Sequence, residues 1–377
     1  MDGGDEDQEW WVRRAVLALL VVVGLATTVY AVTETRSEDS ATGTAEDPIE
    51  VVTDFLPSDL VSEGPLRLGD VLVVGRSGAP VSRPAGTAES FAEAIDAGVS
   101  HVEAEVVMTQ DDQLLVRGDN ELSASTDVAG RPEFADRETT KVVDGVETTG
   151  WFTEDFTLVE LRTLRAVEPG PDLRPTSAAY DGDLALIGLD DLLAQLGAAN
   201  AELDREVGIF IQPRRATYFR GMGLPMERAI AGALRRARLV NEPERVTITS
   251  SDLTLLQRME DNVGDNVLSG FDVDADSADL LTDEELAELP DTVDLVAVEL
   301  DAFPQLEDPQ GLPEAVHEAG FAIAIYPIGS ENAPQGPDSL PGFLSGLRDL
   351  GVDVLMSDSP GEVVDVLADL EAEDEGD

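Results

Sequence analysis

Cysteine is absent from the 377 residues. Disulfides, thiol catalysis and thiolate metal sites are thereby excluded, and cysteine usage carries no information on redox compartment. Histidine is nearly absent as well, with His101 and His317 the only two. Chemistry that needs a pair of imidazoles must find both of these in one place. Lysine is scarcer still: Lys141 stands alone among 24 basic residues. Against those 24 are set 78 acidic residues, for a formal net charge of −54. A surface of that sign repels phosphate backbones and excludes nucleic acid as a partner. Excess carboxylate with scarce lysine is the balance of a protein working in strong salt, where screening suppresses mutual repulsion. A GC-rich codon bias also favours arginine over lysine. Aromatic residues make up only 5% of the chain, yet 42% is hydrophobic, enough for one large core.

An uncharged run, residues 15–32, reads AVLALLVVVGLATTVYAV and follows Arg13 and Arg14. Its length meets the lower part of the roughly 17 to 25 residues that span a bilayer. The arginine pair holds residues 1–14 in the cytoplasm and sends the rest across. The expectation is an uncleaved signal anchor in the cell membrane with an extracytoplasmic domain. Val29-Tyr30-Ala31 and Gly24-Leu25-Ala26 offer small-x-small sites for the alternative, a cleaved leader. Residues 33–60 are charged and without apolar periodicity, and are predicted to be a flexible acidic linker. Residues 371–377 form an acidic tail predicted to fray.

Residues 61–370 alternate short β-branched runs with amphipathic stretches, which predicts parallel strands joined by crossover helices. Strands are expected at VLVVG from Val71, HVEAEVVM from His101, GIFIQ from Gly208, VTITSS from Val246, VLSGFDV from Val267, DLVAVEL from Asp294, AIAIYPI from Ala322 and VDVLMSD from Val352. Eight parallel strands favour a closed α/β barrel over an open sheet. Residues 119–183 break the alternation and read as an insertion after the second strand, where loops build sites.

Barrel chemistry gathers at the C-terminal ends of strands. Read in order, those ends offer Arg76, Ser77 and Gly78, then Glu103 and Glu105, then Gly118, Asp119 and Asn120, then Gln212 and Arg214. Glu103 and Glu105 are two apart on a strand and so share its inner face. At about 7 Å along the backbone they repel unless a cation or an arginine lies between them. Oxygen ligands of this kind suit Ca²⁺ or Mg²⁺.

The run VLVVGRSGAPVSRPAGTAESFAEAIDAGVSHVEAEVVMTQDDQLLVRGDNELSASTDV resembles the opening of glycerophosphodiester phosphodiesterases. GWFTEDFTLVELRTLRA resembles their insertion, and AVHEAGFAIAIYPIGSEN with LRDLGVDVLMSDSPGEVV their last two strand–helix units. The resemblance covers residues 71–370. It implies a (β/α)8 TIM barrel of the phosphatidylinositol-specific phospholipase C-like type. It also implies a histidine pair for acid–base work and a divalent cation held by carboxylates that grips the phosphate.

The matching positions depart from that pattern. The family's His-Arg-Gly falls on Arg76, Ser77 and Gly78, and its second histidine on Gly118. Its Glu-x-Asp pair falls on Glu103 and Glu105, its third metal carboxylate on Gln212 and the adjacent lysine on Arg214. The glutamate of its Pro-Glu-Asn-Thr element falls on Ala85. Arginine stays charged and glycine has nothing to titrate, so no catalytic pair is retained. The expected function is a membrane-anchored, ligand-binding or scaffolding module without turnover. Its alternatives are a phosphoric diester hydrolase with weak metal-dependent chemistry, using Asp119 as base, or a purely structural envelope protein.

Candidate binding residues are thus Arg76, Ser77, Asp119 and Arg214, and candidate metal ligands Glu103, Glu105 and, weakly, Gln212. No cofactor is expected, or Ca²⁺ or Mg²⁺ if the metal site persists. The partners expected are the membrane, through residues 15–32, and a glycerophosphodiester or another small polar ligand. Arg76 is expected to bridge to Glu103 or Glu105, His101 to sit in the core, His317 to be solvent-exposed, and Trp151 and Phe152 to pack the insertion. Arg214 and Arg215 either cradle an anion or offset carboxylates.

Overall fold

A computed structural model describes residues 71–374 apart from 204, 241, 265–266, 331 and 333–339. The expected anchor at 15–32 and linker at 33–60 lie outside the described residues. Among the described residues no helix is long and apolar enough to cross a membrane.

The strands, in chain order, are β1 (Leu72–Arg76), β2 (His101–Met108), β3 (Leu114–Val116), β4 (Thr139–Val143), β5 (Val146–Gly150), β6 (Gly208–Pro213), β7 (Val246–Ser250), β8 (Leu268–Val273), β9 (Leu295–Glu299), β10 (Ala322–Tyr326) and β11 (Val354–Ser357). Eight of them form a closed parallel barrel, running β1-β2-β6-β7-β8-β9-β10-β11 and back to β1. All eight strands expected from the sequence are present. β2 outlasts its neighbour β1, and its last three residues pair instead with the antiparallel β3, which covers what would be a bare edge. The insertion carries the separate β4–β5 hairpin.

The longer helices are α1 (Ala88–Asp96), α2 (Leu189–Glu202), α3 (Met226–Ala237), α4 (Leu253–Val263), α5 (Leu312–Glu318), α6 (Leu340–Asp349) and α7 (Pro360–Asp374). Thr87 caps α1 by accepting from Ser90 N, and Phe91, Ala94 and Ile95 give it a buried stripe at helical spacing. Residues 371–374, expected to fray, extend α7, and 375–377 lie outside the described residues.

His317, expected in solvent, is buried at 8% exposure. α5 buries Leu312, Pro313, Val316 and His317, so the imidazole lies on the stripe that faces the barrel. Its Nε2 is 2.8 Å from Asp353 Oδ2, an oxygen that also accepts from Ile323 N at 2.9 Å. A buried imidazole needs a polar partner, and that partner comes from the segment ahead of β11.

Alternation along each strand sorts side chains into two layers. One parity packs outward into the large core between barrel and helices: Val73, Val102, Ala104, Ile209, Ile211, Val246, Ile248, Phe271, Val296, Ile323 and Leu355 all belong to it. The other parity points inward, where Val74, Phe210, Leu295, Ala297, Ala322, Ala324, Tyr326, Val354 and Met356 form a second cluster. This inner floor is fitted by size. A Cβ on Gly208 would lie 2.2 Å from the ring of His101, its register partner, and one on Gly270 would lie 3.0 Å from the Leu295 side chain. His101 is edge-on to Phe210, with centroids 5.4 Å apart, and its Nε2 is 3.1 Å from Glu244 O ahead of β7. It is therefore a core histidine at the N-terminal end of the strands, as expected.

Candidate functional site

Continuing the inward parity past the floor brings polar residues to the C-terminal end of almost every barrel strand. They are Arg76 on β1, Glu103 and Glu105 on β2, Gln212 on β6, Asp272 on β8, Glu299 on β9, Tyr326 on β10 and Asp358 just beyond β11. Register fixes the neighbours, since Arg76 lies opposite Glu103, and Glu105 opposite Gln212.

Arg76 occupies the centre of one side. Its Nη1 donates to Asp358 Oδ1 at 3.0 Å, its Nε stands 4.0 Å from Glu103 Oε2, and its guanidinium lies 4.9 Å from the centre of the Tyr326 ring. Asp358 is shared with Arg174, which reaches in from the insertion. Glu105 makes a separate set of contacts: it accepts from Ser77 Oγ at 3.3 Å, and Arg214 Nε is 3.4 Å away. Each carboxylate of the pair on β2 thus has its own arginine.

A third group runs across the far wall. Gln212 Nε2 donates to Asp272 Oδ2 at 2.6 Å, Tyr326 OH donates to Asp272 Oδ1, and Gln212 Oε1 accepts from Arg214 Nη1 at 3.3 Å.

The electrostatics follow from burial. Desolvation pushes the Glu103 carboxyl up to about 7, reinforced by Glu105, Asp272 and Asp358 and only partly countered by Arg76. Asp272 is raised by burial in spite of its bonds to Tyr326 and the pull of Arg214, and Glu299 by burial and by Asp301 and Asp274. Burial alone would lower Arg76, but the charges of Glu103, Asp358 and Glu105 more than offset it, and the guanidinium stays charged.

The remaining sequence candidates lie at the rim or outside the site. Asp119 is exposed, its Oδ1 accepts from Asn120 N at 2.7 Å, and its Oδ2 is 3.5 Å from Arg215. Arg215 also holds Asp144 at 2.9 Å, so both arginines of the pair 214–215 are engaged by carboxylates. Trp151 Nε1 donates to Phe134 O at 2.7 Å and Phe152 is fully buried, which places both in the packing of the insertion. The hairpin is pinned by Lys141, whose Nζ lies 2.9 Å from Glu154 Oε1 and 2.7 Å from Asp155 Oδ2. Glu154 also accepts from Tyr218 OH at 2.6 Å.

Asp272, Glu299, Tyr326, Asp358 and Arg174 were missed from sequence. The first four carry the same signal as the residues that were found, a polar side chain at a strand's C-terminal end. Arg174 carries none, because its place is set by how the insertion folds back.

Gly118, where the resemblance places the family's second histidine, lies against the Glu105 carboxylate. A Cβ there would lie 2.5 Å from Glu105 Oε2. The Glu105 carboxylate fills the space that a side chain at 118 would take.

A divalent cation does not fit this set of donors. Arginines stand against Glu103 and Glu105, and Gln212 uses its amide nitrogen on Asp272 and its oxygen on Arg214. Among the described residues no group of three or more His, Cys, Asp or Glu side chains is arranged to hold a metal.

Comparison with known proteins agrees with this architecture. The model of the glycerophosphoryl diester phosphodiesterase family matches residues 77–362. A glycerophosphodiester phosphodiesterase of Arabidopsis thaliana is 32% identical over 157 residues, 41% of this chain and 40% of its own. A second from the same plant is 25% identical over 299 residues, 74% of this chain and 38% of its own. The matches thus span about two fifths of those relatives. Among solved structures, a Silicibacter pomeroyi protein assigned as a glycerophosphoryl diester phosphodiesterase superposes with a TM-score of 0.60 at 20% identity, over 81% of this chain and 96% of its own. An Oleispira antarctica phosphodiesterase in complex with the product sn-glycerol-3-phosphate gives 0.55 at 15%, over 79% and 96%. At those identities the structural likeness speaks for the fold alone.

Proposed function

The chain belongs to the glycerophosphoryl diester phosphodiesterase family, and from that premise we propose that its barrel holds a small polar ligand, of the glycerophosphodiester type, without hydrolysing it. One observation carries the reading: both histidines of the chain are buried in structural roles, His101 on the barrel floor and His317 against Asp353, and neither reaches the mouth. General acid–base assistance contributes typically about 10² to 10⁴ in rate. With Arg76 and Gly118 at the two matching positions, no pair remains to pass a proton between attacking and leaving oxygens.

The competing reading, hydrolysis with altered chemistry, draws on Glu103, since a pKa near 7 suits acid–base work. Its carboxylate is only 3% exposed and lies against Arg76, which speaks against contact with a substrate.

The uncharged run at 15–32 behind Arg13 and Arg14 supports tethering to the cell membrane with the barrel outside. Protease added to intact cells should then digest the barrel, and full protection would contradict that placement.

The decisive experiment incubates the full chain with glycerophosphodiesters and Ca²⁺ or Mg²⁺. No glycerol phosphate should be released, while the same compounds should raise the unfolding temperature. Metal-dependent release that disappears in Glu103→Gln would overturn the proposal.

A further inference from the structure

We infer that Arg76 is a chain-borne substitute for a divalent cation: its guanidinium stands between Glu103 and Asp358, and shortening it opens a site there for Ca²⁺ or Mg²⁺. The inference deepens the non-hydrolytic reading above and rests on it in taking Arg76 as a structural and not a reacting group.

β1 is the strand at which the barrel closes, paired with β2 on one flank and β11 on the other. Its last inward residue therefore meets the acids of both neighbours, Glu103 in direct register and Asp358 one residue beyond β11. An uncharged residue at 76 would leave Asp358, at 8% exposure, to Arg174, and Glu103, at 3%, without the cation that now stands against it and under the charges of Glu105, Asp272 and Asp358. Desolvated carboxylates of like charge do not stay ionised together without a counter-charge. Arg214 is committed to Glu105 and Gln212, and Arg174 reaches Asp358 but makes no contact with Glu103. Among the described residues, Arg76 is the cation set against Glu103.

The substitution is incomplete, and the shortfall is visible. Arg76 Nε and Glu103 Oε2 are both buried, both lack a hydrogen-bond partner, and stand 4.0 Å apart. A planar cation fixed to β1 reaches Asp358 at hydrogen-bond distance but stops short of Glu103. A free ion has no such tether. Ca²⁺ takes carboxylate oxygens at about 2.3–2.6 Å and Mg²⁺ at about 2.0–2.1 Å, well inside the 4.0 Å at which Arg76 Nε stands from Glu103. The donors within reach are all oxygens, which selects these hard ions over zinc or copper.

The test compares the full chain with Arg76→Ala and Arg76→Ala/Glu103→Gln, at constant ionic strength, by thermal unfolding and by calorimetric titration with Ca²⁺. The parent should unfold at the same temperature in EDTA and in Ca²⁺. Arg76→Ala should unfold earlier, recover on adding Ca²⁺, and bind one ion with a dissociation constant of about 10⁻⁴ to 10⁻³ M, the range of weak calcium modules. The double variant should lose that binding by at least tenfold. Should Arg76→Ala not accumulate, Arg76→Met carries the same test while keeping an aliphatic stem over Tyr326.

Two results overturn the inference. One is a parent chain that binds Ca²⁺ as tightly as the variant through Glu103. The other is a variant that is restored by acid, which protonates Glu103, and not by Ca²⁺. An inactive parent that binds Ca²⁺ sinks this inference alone, and a parent that hydrolyses diesters without binding an ion sinks the non-hydrolytic reading alone.

Discussion

On the floor of the barrel His101 is laid against Phe210 over a glycine and Leu295 over another, with Val74, Ala297, Ala324 and Met356 completing an apolar layer. One inward position further along the same strands stand Arg76, Glu103, Gln212, Asp272, Glu299, Tyr326 and Asp358. The two layers share backbone, register and parity, and differ in what fixes their residues. The floor is set by volume, where each side chain must fill what its neighbour leaves. The mouth is set by charge balance, where an acid can be kept by an ion, an arginine or an amide hydrogen. A barrel can therefore rewrite its mouth while its floor stays recognisable.

The contrast is broken most sharply at the floor. Phe210 is 2% exposed, and truncation to alanine should cost about 3–5 kcal/mol, measured by chemical denaturation. A loss under about 1 kcal/mol would mean that the floor, too, adapts freely.

The next effect lies in the mouth and depends on pH. Glu103 stands at about 7 in the fold against an ordinary 4.5, so the folded chain holds that proton more tightly than the unfolded one. The stability this contributes is complete below about pH 4.5 and is lost as pH rises through about 7. Glu103→Gln is neutral throughout. The unfolding temperature of the variant relative to the parent should be level below pH 4.5 and climb between 4.5 and 7. A difference independent of pH would remove charge as the governing term at that residue.

The smallest effect sharpens the comparison by finding a volume rule inside the mouth. Gly118→Ala should cost about 1 kcal/mol, because its Cβ meets the Glu105 carboxylate. In a Glu105→Asp background the cost should fall towards zero, a coupling read from a double-mutant cycle. Equal costs in both backgrounds would show that Glu105 moves aside freely and that positions 105 and 118 are not coupled.

The barrel was legible because alternation and helical periodicity are local signals, repeated eight times. Arg76, Glu103, Glu105, Gln212 and Arg214 were also legible, since they fall where barrel strands end. The same rule applied past the fourth strand end points to Asp272, Glu299, Tyr326 and Asp358. What the sequence withheld was pairing. His317 reads as one more polar residue on a charged helix, because Asp353 is 36 positions away on another element. Arg174 lies in a turn-rich segment without periodicity, and only the folded insertion brings it to Asp358. The choice between anion cradle and carboxylate offset for Arg214 and Arg215 was likewise open until Glu105, Asp119 and Asp144 were located around them.

Lys141 has a use beyond clamping its hairpin. A chain with a single ε-amine directs amine-selective reagents to one side chain, and here that side chain is tucked against Glu154 and Asp155. Acylation at this position, followed by mass spectrometry, times how often the amine parts from Glu154 and Asp155, and it does so without introducing any foreign label site.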